Sequence, residues 1–212
     1  SILITINWGC YILAVNLGRV VEASMGYFLS PVINMIGGYI FFHERISKLK
    51  QLAVFFATVG ALYYVLSGDS FPWLGFIVGF TFSAYGIARK AMASSAVPGL
   101  YIETLILLPF FLIFSIWFYS NFEVAFLNID ISTDVLLFFA GAVTVIPLAL
   151  FNAGAKLLPM TTVGILFLIT PTLHFLVGYY LQNEQVNLNQ LIGFIGVWTG
   201  LIMYSYGLIR EK

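Results

Sequence analysis

Two polar residues inside long apolar runs, Asn34 and His174, have the clearest capacity for chemistry in this chain. An imidazole titrates near neutral pH, so His174 could carry a proton or hydrogen-bond a substrate. The Asn34 amide offers donors and an acceptor to a polar ligand. No second histidine or cysteine lies within helical reach of His174, so we expect no metal site and no other cofactor.

The two residues occupy the same place in a repeated pattern. Each follows a proline by three positions and precedes a glycine by four, which puts all three residues on one helix face. The two sets are Pro31, Asn34 and Gly38, and Pro171, His174 and Gly178. Each proline deprives a carbonyl four residues earlier, that of Tyr27 or Phe167, of its helical hydrogen bond. The pattern predicts either two kinked helices that line a substrate path, or packing kinks with a polar residue bonded to its neighbour.

Three further polar residues are candidates for substrate contact. Asn16 and Arg19 stand near the end of the first apolar run, and Asn152 lies in a later one. Arg19 could meet an anionic substrate, although a local ion pair with Glu22 would also explain it. The predicted substrate-binding set is therefore Asn16, Arg19, Pro31, Asn34, Asn152, Pro171 and His174.

Composition sets the environment in which these residues act. Hydrophobic residues make up 61% of the 212 residues and charged residues 8%, with a mean hydropathy of +1.00. A soluble domain carries roughly 25% charged residues, so the sequence predicts an integral membrane protein whose partner is the lipid bilayer. The net charge of zero gives no reason to expect nucleic acid, and the single cysteine excludes an intramolecular disulfide.

Apolar runs long enough to cross a membrane predict an all-α fold. About 20 helical residues span a bilayer core about 30 Å thick. By that measure, eight transmembrane helices are expected at residues 1–18, 22–42, 51–67, 72–89, 100–119, 134–153, 160–182 and 191–209.

The basic residues divide unequally between the two sides of such a membrane protein. One side receives Arg45, Lys48, Lys50, Arg89, Lys90, Lys156, Arg210 and Lys212. The other side receives only Arg19. The positive-inside rule places the basic side, and with it the C-terminus, in the cytoplasm.

A longer repeat predicts how the helices are arranged. Residues 31–44 return as 171–184 at a constant offset of 140 positions, and Gly60 and Tyr64 return as Gly200 and Tyr204. This predicts two five-helix units, residues 1–68 without two opening helices and residues 72–209, followed by a cytoplasmic tail at 210–212. The chain would then show eight helices of a ten-helix bundle. An odd number of crossings inverts the second unit, as in secondary transporters.

Several motifs resemble the RarD family of the EamA group, in the drug/metabolite transporter superfamily. They are the stretch NLGRVVEASMGYFLSP at 16–31, Asn34, Glu44-Arg45, the stretch LPMTTVG at 158–164 and the segment 171–184. The resemblance implies a ten-helix permease of the bacterial inner (plasma) membrane with both termini in the cytoplasm. It also implies a central cavity formed by helices that correspond to residues 1–18, 22–42, 134–153 and 160–182. Glu44 and Glu184 are expected to cap helix ends and lock the repeat interface rather than handle substrate.

The sequence thus predicts a secondary transporter, an exporter of a small metabolite or drug-like molecule, with proton coupling left open. No nucleotide-binding loop or nucleophile elbow appears, and we expect no enzyme. A membrane-embedded enzyme would need clustered catalytic groups, and only His174 and Glu103 approach that description. A non-transporting assembly protein or an inactive fragment is the other alternative. The sequence predicts neither the substrate nor the oligomeric state.

Overall fold

The computed structural model shows an all-helical protein, with no strand among the residues that it describes. Those residues are 1–19, 23, 26–67, 71–122, 126–173, 176 and 188–210. Contacts divide the chain into two compact units. The hairpin unit comprises Met92–Leu157, and the main unit comprises Ile2–Ala91 with Leu158–Lys212.

The helices follow the apolar runs of the sequence. In chain order they are α1 (Ile2–Asn16), a 3-10 helix (Gly26–Leu29), α2 (Ser30–Phe42), α3 (Lys48–Leu66), α4 (Trp73–Ala91), α5 (Ala96–Asn121), α6 (Ile131–Leu157), α7 (Met160–Leu166) and α8 (Leu188–Arg210). Helices α5 and α6 form the hairpin unit, and the others belong to the main unit.

Length and composition make this an integral membrane protein. Four helical stretches in the described part of the chain are long and apolar enough to cross a membrane, namely Lys48–Leu66, Ala96–Asn121, Ile131–Leu157 and Leu191–Arg210. Shorter apolar helices occupy Ile2–Asn16, Gly26–Phe42 and Met160–Leu173. The predicted all-α membrane fold is therefore confirmed, whereas the count of eight crossings stays a prediction.

Two of the predicted spans are not continuous α-helices. The span expected at 22–42 is a 3-10 helix followed by α2, and the span expected at 160–182 is broken by a turn at residues 167–168 after α7. Apolar composition predicts burial in a membrane but does not report where a backbone hydrogen bond is missing. The remaining predicted helices differ from the structure only at their ends, which is where such boundaries are least certain.

Helices α3 and α8 pack closely enough for their backbones to touch. A Cβ atom placed on Gly60 would lie 2.6 Å from the Gly193 carbonyl oxygen, and one on Gly200 would lie 2.5 Å from the Ala53 carbonyl oxygen. Advancing along α3 means moving back along α8, so the two helices run antiparallel. Small residues permit this close approach. The van der Waals contact that results takes the place of the hydrophobic driving force, which is absent between helices inside a membrane.

An aromatic core lies at one end of this helix pair. The rings of Phe28, Tyr64 and Phe194 meet with centroid separations of 5.3 to 5.7 Å. At the other end, the Lys50 ammonium lies 6.0 Å from the centre of the Tyr204 ring. At the first end, the contacts of the Phe28 ring hold the 3-10 helix against both α3 and α8.

The hairpin unit has a capped connection between its two helices. The Asp130 carboxylate accepts a hydrogen bond from the Thr133 N–H at 2.7 Å, where α6 begins. Asp134 accepts one from the Leu127 N–H at 2.6 Å. At the other end, the Lys156 ammonium donates to the Met92 carbonyl at 2.7 Å. Most apolar side chains of both helices are exposed, as suits helices in contact with lipid.

Candidate functional site

The candidate site lies in the main unit, where equivalent residues of the two repeat copies meet. The rings of Tyr27 and Phe167, 140 positions apart, stack with their centroids 6.0 Å apart and their planes 8° from parallel. Phe82 of α4 meets both rings edge-on, at 6.3 Å from Tyr27 and 5.1 Å from Phe167. These edge-to-face contacts are a favoured aromatic geometry.

Each stacked ring belongs to a residue at which the backbone departs from α-helical geometry. Tyr27 lies in the 3-10 helix, and Pro31 stands in the first turn of α2, where a missing N–H costs no helical hydrogen bond. Phe167 lies in the turn after α7, and its carbonyl accepts the N–H of Thr170 at 3.0 Å. The carbonyl that Pro171 leaves without its usual donor is thus satisfied by a tighter turn. The helix departs from α geometry near both prolines, as predicted, but Pro31 begins a helix rather than kinking one.

Asn34 is the buried polar residue of this region. Its side chain is 1% exposed, and neither Oδ1 nor Nδ2 has a hydrogen-bond partner among the residues that the structure describes. Gly164 of α7 packs directly against it, because a Cβ atom on that glycine would come within 2.9 Å of both the Asn34 Cβ and the Pro31 Cα. A buried amide without a partner costs about 1–3 kcal/mol, so this group calls for a functional or structural explanation.

A charged latch joins three helices at the end of the main unit that carries Lys90. The Glu44 carboxylate accepts the N–H of Met160 at 2.8 Å and that of Thr161 at 3.4 Å, and so caps α7. The Lys90 ammonium lies 3.2 Å from the Glu44 carboxylate and also donates to the Leu158 carbonyl. We call Glu44, Lys90 and the first turn of α7 the latch.

The turn after α2 orients the Glu44 carboxylate of the latch toward α7. His43 has a φ of 53°, in the left-handed region, and the Glu44 N–H donates to the Gly38 carbonyl at 3.0 Å. This folds Glu44 back along α2, so that a Cβ atom on Gly38 would lie 2.5 Å from its carboxylate. The expected role of Glu44 as a helix cap is confirmed.

The predicted site residues fall into separate places. Pro31 and Asn34 lie in α2, and Pro171 is buried in the helical residues that follow the turn at 167–168. His174 lies outside the described residues, as do its neighbours in the pattern, Gly178 and Glu184.

Asn16 and Arg19 are exposed at and just beyond the end of α1. Asn152 is fully buried, and it belongs to the hairpin unit, as does the buried Glu103.

Comparison with known proteins supplies the family. A model of the EamA-like transporter family matches residues 71–206. The chain belongs to this family. The resemblance that the motifs carried is therefore confirmed, and the membership points to transport and away from enzymatic activity.

Relatives extend the match over the whole chain. An uncharacterised transporter of Pseudomonas aeruginosa is 38% identical over 213 residues, which cover 100% of this chain and 71% of the relative. The uncharacterised transporter YojE of Bacillus subtilis is 34% identical, covering 100% of this chain and 70% of the relative. Protein RarD of Escherichia coli is also 34% identical, with coverages of 100% and 72%. No solved structure matches the chain.

Several buried polar contacts of this EamA-family chain were not singled out from the sequence. Asn7 of α1 donates to the Val78 carbonyl of α4 at 2.7 Å and approaches the Thr81 hydroxyl at 3.1 Å. The hydroxyls of Ser83 and Ser30 lie 3.2 Å apart between α4 and α2. A polar residue within an apolar run was the available signal, but partners more than fifty positions away depend on helix rotation.

Proposed function

We propose that this chain is a secondary transporter built from two inverted repeats, which moves a small metabolite or drug-like molecule by alternating access. The observation that carries the proposal is the paired contacts between α3 and α8. Gly60 meets Gly193 and Val197, while Gly200 meets Ala53 and Ala57. Adding or subtracting 140 positions converts each contact into the other. Because the helices run antiparallel, the two-fold axis between them is perpendicular to both, as inverted-topology repeats require.

The proposed substrate path runs past the interruptions that precede the two prolines. Irregular backbone at membrane depth is tolerated where protein buries it or where it lines a watered cavity. Asn34 and His174 occupy equivalent positions in the two copies of the repeated sequence. We assign Asn34 to substrate hydrogen bonding, because a substrate would supply the partner that its amide lacks among the described residues. His174 would contact the substrate or carry a coupled proton.

The latch closes one end of this path in the proposed mechanism. The helix ends that the sequence assigns to a single side meet there, since Glu44 contacts both Lys90 and Met160. The positive-inside rule makes this the cytoplasmic side of a bacterial inner membrane and puts the C-terminus there too. Opening toward the cytoplasm would require the Glu44 carboxylate to leave the α7 N-terminus.

Flux into liposomes tests the transport function. The protein is reconstituted, and saturable uptake of amino acids, nucleosides and chloramphenicol is measured with and without a pH gradient. Chloramphenicol joins the panel because a Pseudomonas aeruginosa relative, 29% identical over 205 residues, is named a chloramphenicol-sensitive protein. We expect saturable uptake of at least one class above empty liposomes. Flux equal to empty liposomes for every class would favour a non-transporting assembly protein or an inactive fragment.

Substitution of His174 tests proton coupling separately. If His174 carries the proton, the His174→Ala and His174→Gln variants lose the dependence of uptake on the pH gradient, and the variants still fold. If it only hydrogen-bonds the substrate, His174→Gln retains more uptake than His174→Ala. Unchanged rates and unchanged pH dependence in both variants would remove His174 from the proposed site. Ile106→Ala, an exposed substitution in the hairpin unit, is the control.

A further inference from the structure

A cavity borders the latch as a groove between α2 and α3, with Glu44 and Thr161 in its lining. It encloses about 1300 Å³ and opens along one side. Its apolar walls are formed by Met35, Ile36 and Ile40 of α2 and by Val54 and Phe55 of α3. Neither Asn34 nor the stacked rings line it.

The groove has the depth of one membrane leaflet. Its wall on α2 extends from Val32 to His43, which at about 1.5 Å per residue is about 16 Å. That is about half of a bilayer core about 30 Å thick. On α3 the lining ends at Thr58, whose hydroxyl donates to the Val54 carbonyl at 2.7 Å. The deep end therefore presents no free hydroxyl proton to a polar ligand.

The mouth of the groove is basic. Arg45 and His43 line it, and both are exposed. Lys48, the exposed first residue of α3, lies between the lining residues Ile46 and Gln51 in the sequence. The first turn of α3 contains the lining residue Gln51, so the N-terminus of this helix adds the positive end of its dipole. Glu44 also borders the groove, but its carboxylate is engaged by Lys90 and by α7. The charge offered at the mouth is therefore positive.

We propose that this groove binds one anionic phospholipid from the leaflet at the basic end of the protein. The head-group phosphate lies at Arg45 and Lys48, and an acyl chain lies along Ile36 and Phe55. Three features together select this occupant: the apolar wall of a groove in a membrane protein, a depth of about one leaflet, and a cationic mouth. Basic residues at the membrane surface attract anionic lipids in this way. The proposal does not depend on which substrate is transported.

Native mass spectrometry of the purified protein tests head-group recognition. The protein is equilibrated with equal amounts of phosphatidylglycerol and phosphatidylcholine and then stripped with detergent. We expect at least five-fold more phosphatidylglycerol than phosphatidylcholine to remain bound. Arg45→Gln is expected to abolish that preference, whereas the matched charge removal Arg210→Gln, in the last turn of α8, leaves it intact.

A second pair of variants tests the acyl-chain position. Ile36→Trp fills the groove, and Ile106→Trp makes the same change at a similarly exposed position outside it, with exposed fractions of 48% and 53%. We expect only Ile36→Trp to lose the retained phosphatidylglycerol, with both variants monodisperse by size-exclusion chromatography. Equal retention of the two lipids, equal effects of Arg45→Gln and Arg210→Gln, or full retention in Ile36→Trp would each overturn the proposal.

Discussion

Tyr27 and Phe167 occupy the same position in the two repeat copies, and their rings stack on one another at 6.0 Å. In the proposed inverted-repeat arrangement, a contact between equivalent residues forms where the two copies face each other across their two-fold axis. The stack therefore marks the place where the interrupted helices of the two copies meet. Its two members differ by a single hydroxyl group.

The stack should be energetically coupled. Aromatic pairs contribute about 0.5–1.5 kcal/mol beyond the area they bury. We expect a double-mutant cycle with Tyr27→Leu and Phe167→Leu to show a coupling energy in that range, measured by unfolding in detergent. Phe167→Leu combined with Phe138→Leu, on an exposed face of the hairpin unit, should be additive. Additivity in both cycles would mean that the two rings touch without stabilising one another.

The α3–α8 contact should be intolerant of larger side chains. Gly200→Leu would drive a side chain into Ala57, whose backbone nitrogen lies 2.7 Å from the Cβ position. Overpacking of this kind costs about 1–3 kcal/mol, so we expect a lower midpoint of thermal unfolding. Gly141→Leu is the matched control, because nothing lies within 4 Å of its Cβ position. An equal shift in both variants would show that loss of glycine alone, rather than crowding, is responsible.

Substitution of Asn34 should impair substrate uptake without lowering the stability of the fold. Replacing a buried polar group that lacks a partner with an apolar one of similar shape is nearly neutral or stabilising. We therefore expect Asn34→Leu to unfold at or above the wild-type temperature while substrate uptake falls at least ten-fold. Substantial destabilisation of Asn34→Leu would place its hydrogen bond within the fold, and normal uptake would remove it from the substrate path.

The latch should be weakened both by removing the Glu44 carboxylate and by displacing it from its position. Glu44→Ala removes the α7 cap and the partner of Lys90, and hydrogen bonds to charged groups contribute about 1.5–3 kcal/mol. Gly38→Ala displaces the same carboxylate, since its Cβ atom would lie 2.5 Å away. We expect each variant to lower the free energy of unfolding and the double variant to add little more. Gly154→Ala, whose Cβ position is open, should not lower the free energy of unfolding, because alanine favours the helix more than glycine does.

The sequence predicted the helices better than their irregularities. The length of an apolar run reports burial in lipid, so the helices around Lys48–Leu66 and Leu188–Arg210 are close to the predicted spans. Pro31 was expected inside a helix, but it stands in the first turn of one, where its missing N–H is harmless. A proline alone does not indicate which of these two solutions the backbone takes.

Contacts across the chain were predictable only where a second pattern supported them. The capping role of Glu44 followed from its place at the end of an apolar run that recurs in the repeat. Its partner Lys90 was not predicted, because that ion pair depends on how α2 and α4 are rotated toward each other. The partners of Asn7 on α4 were hidden for the same reason.

The backbone contacts that Gly60 makes with α8 and Gly200 makes with α3 limit which helices can move. Interfaces closed at this distance have no side chains that could change rotamer and let the helices slide. Helices α3 and α8 must therefore travel as one rigid body through any conformational cycle. In the proposed alternating-access cycle, the rearrangement that exposes first one face of the membrane and then the other falls to the segments that carry Pro31 and Pro171.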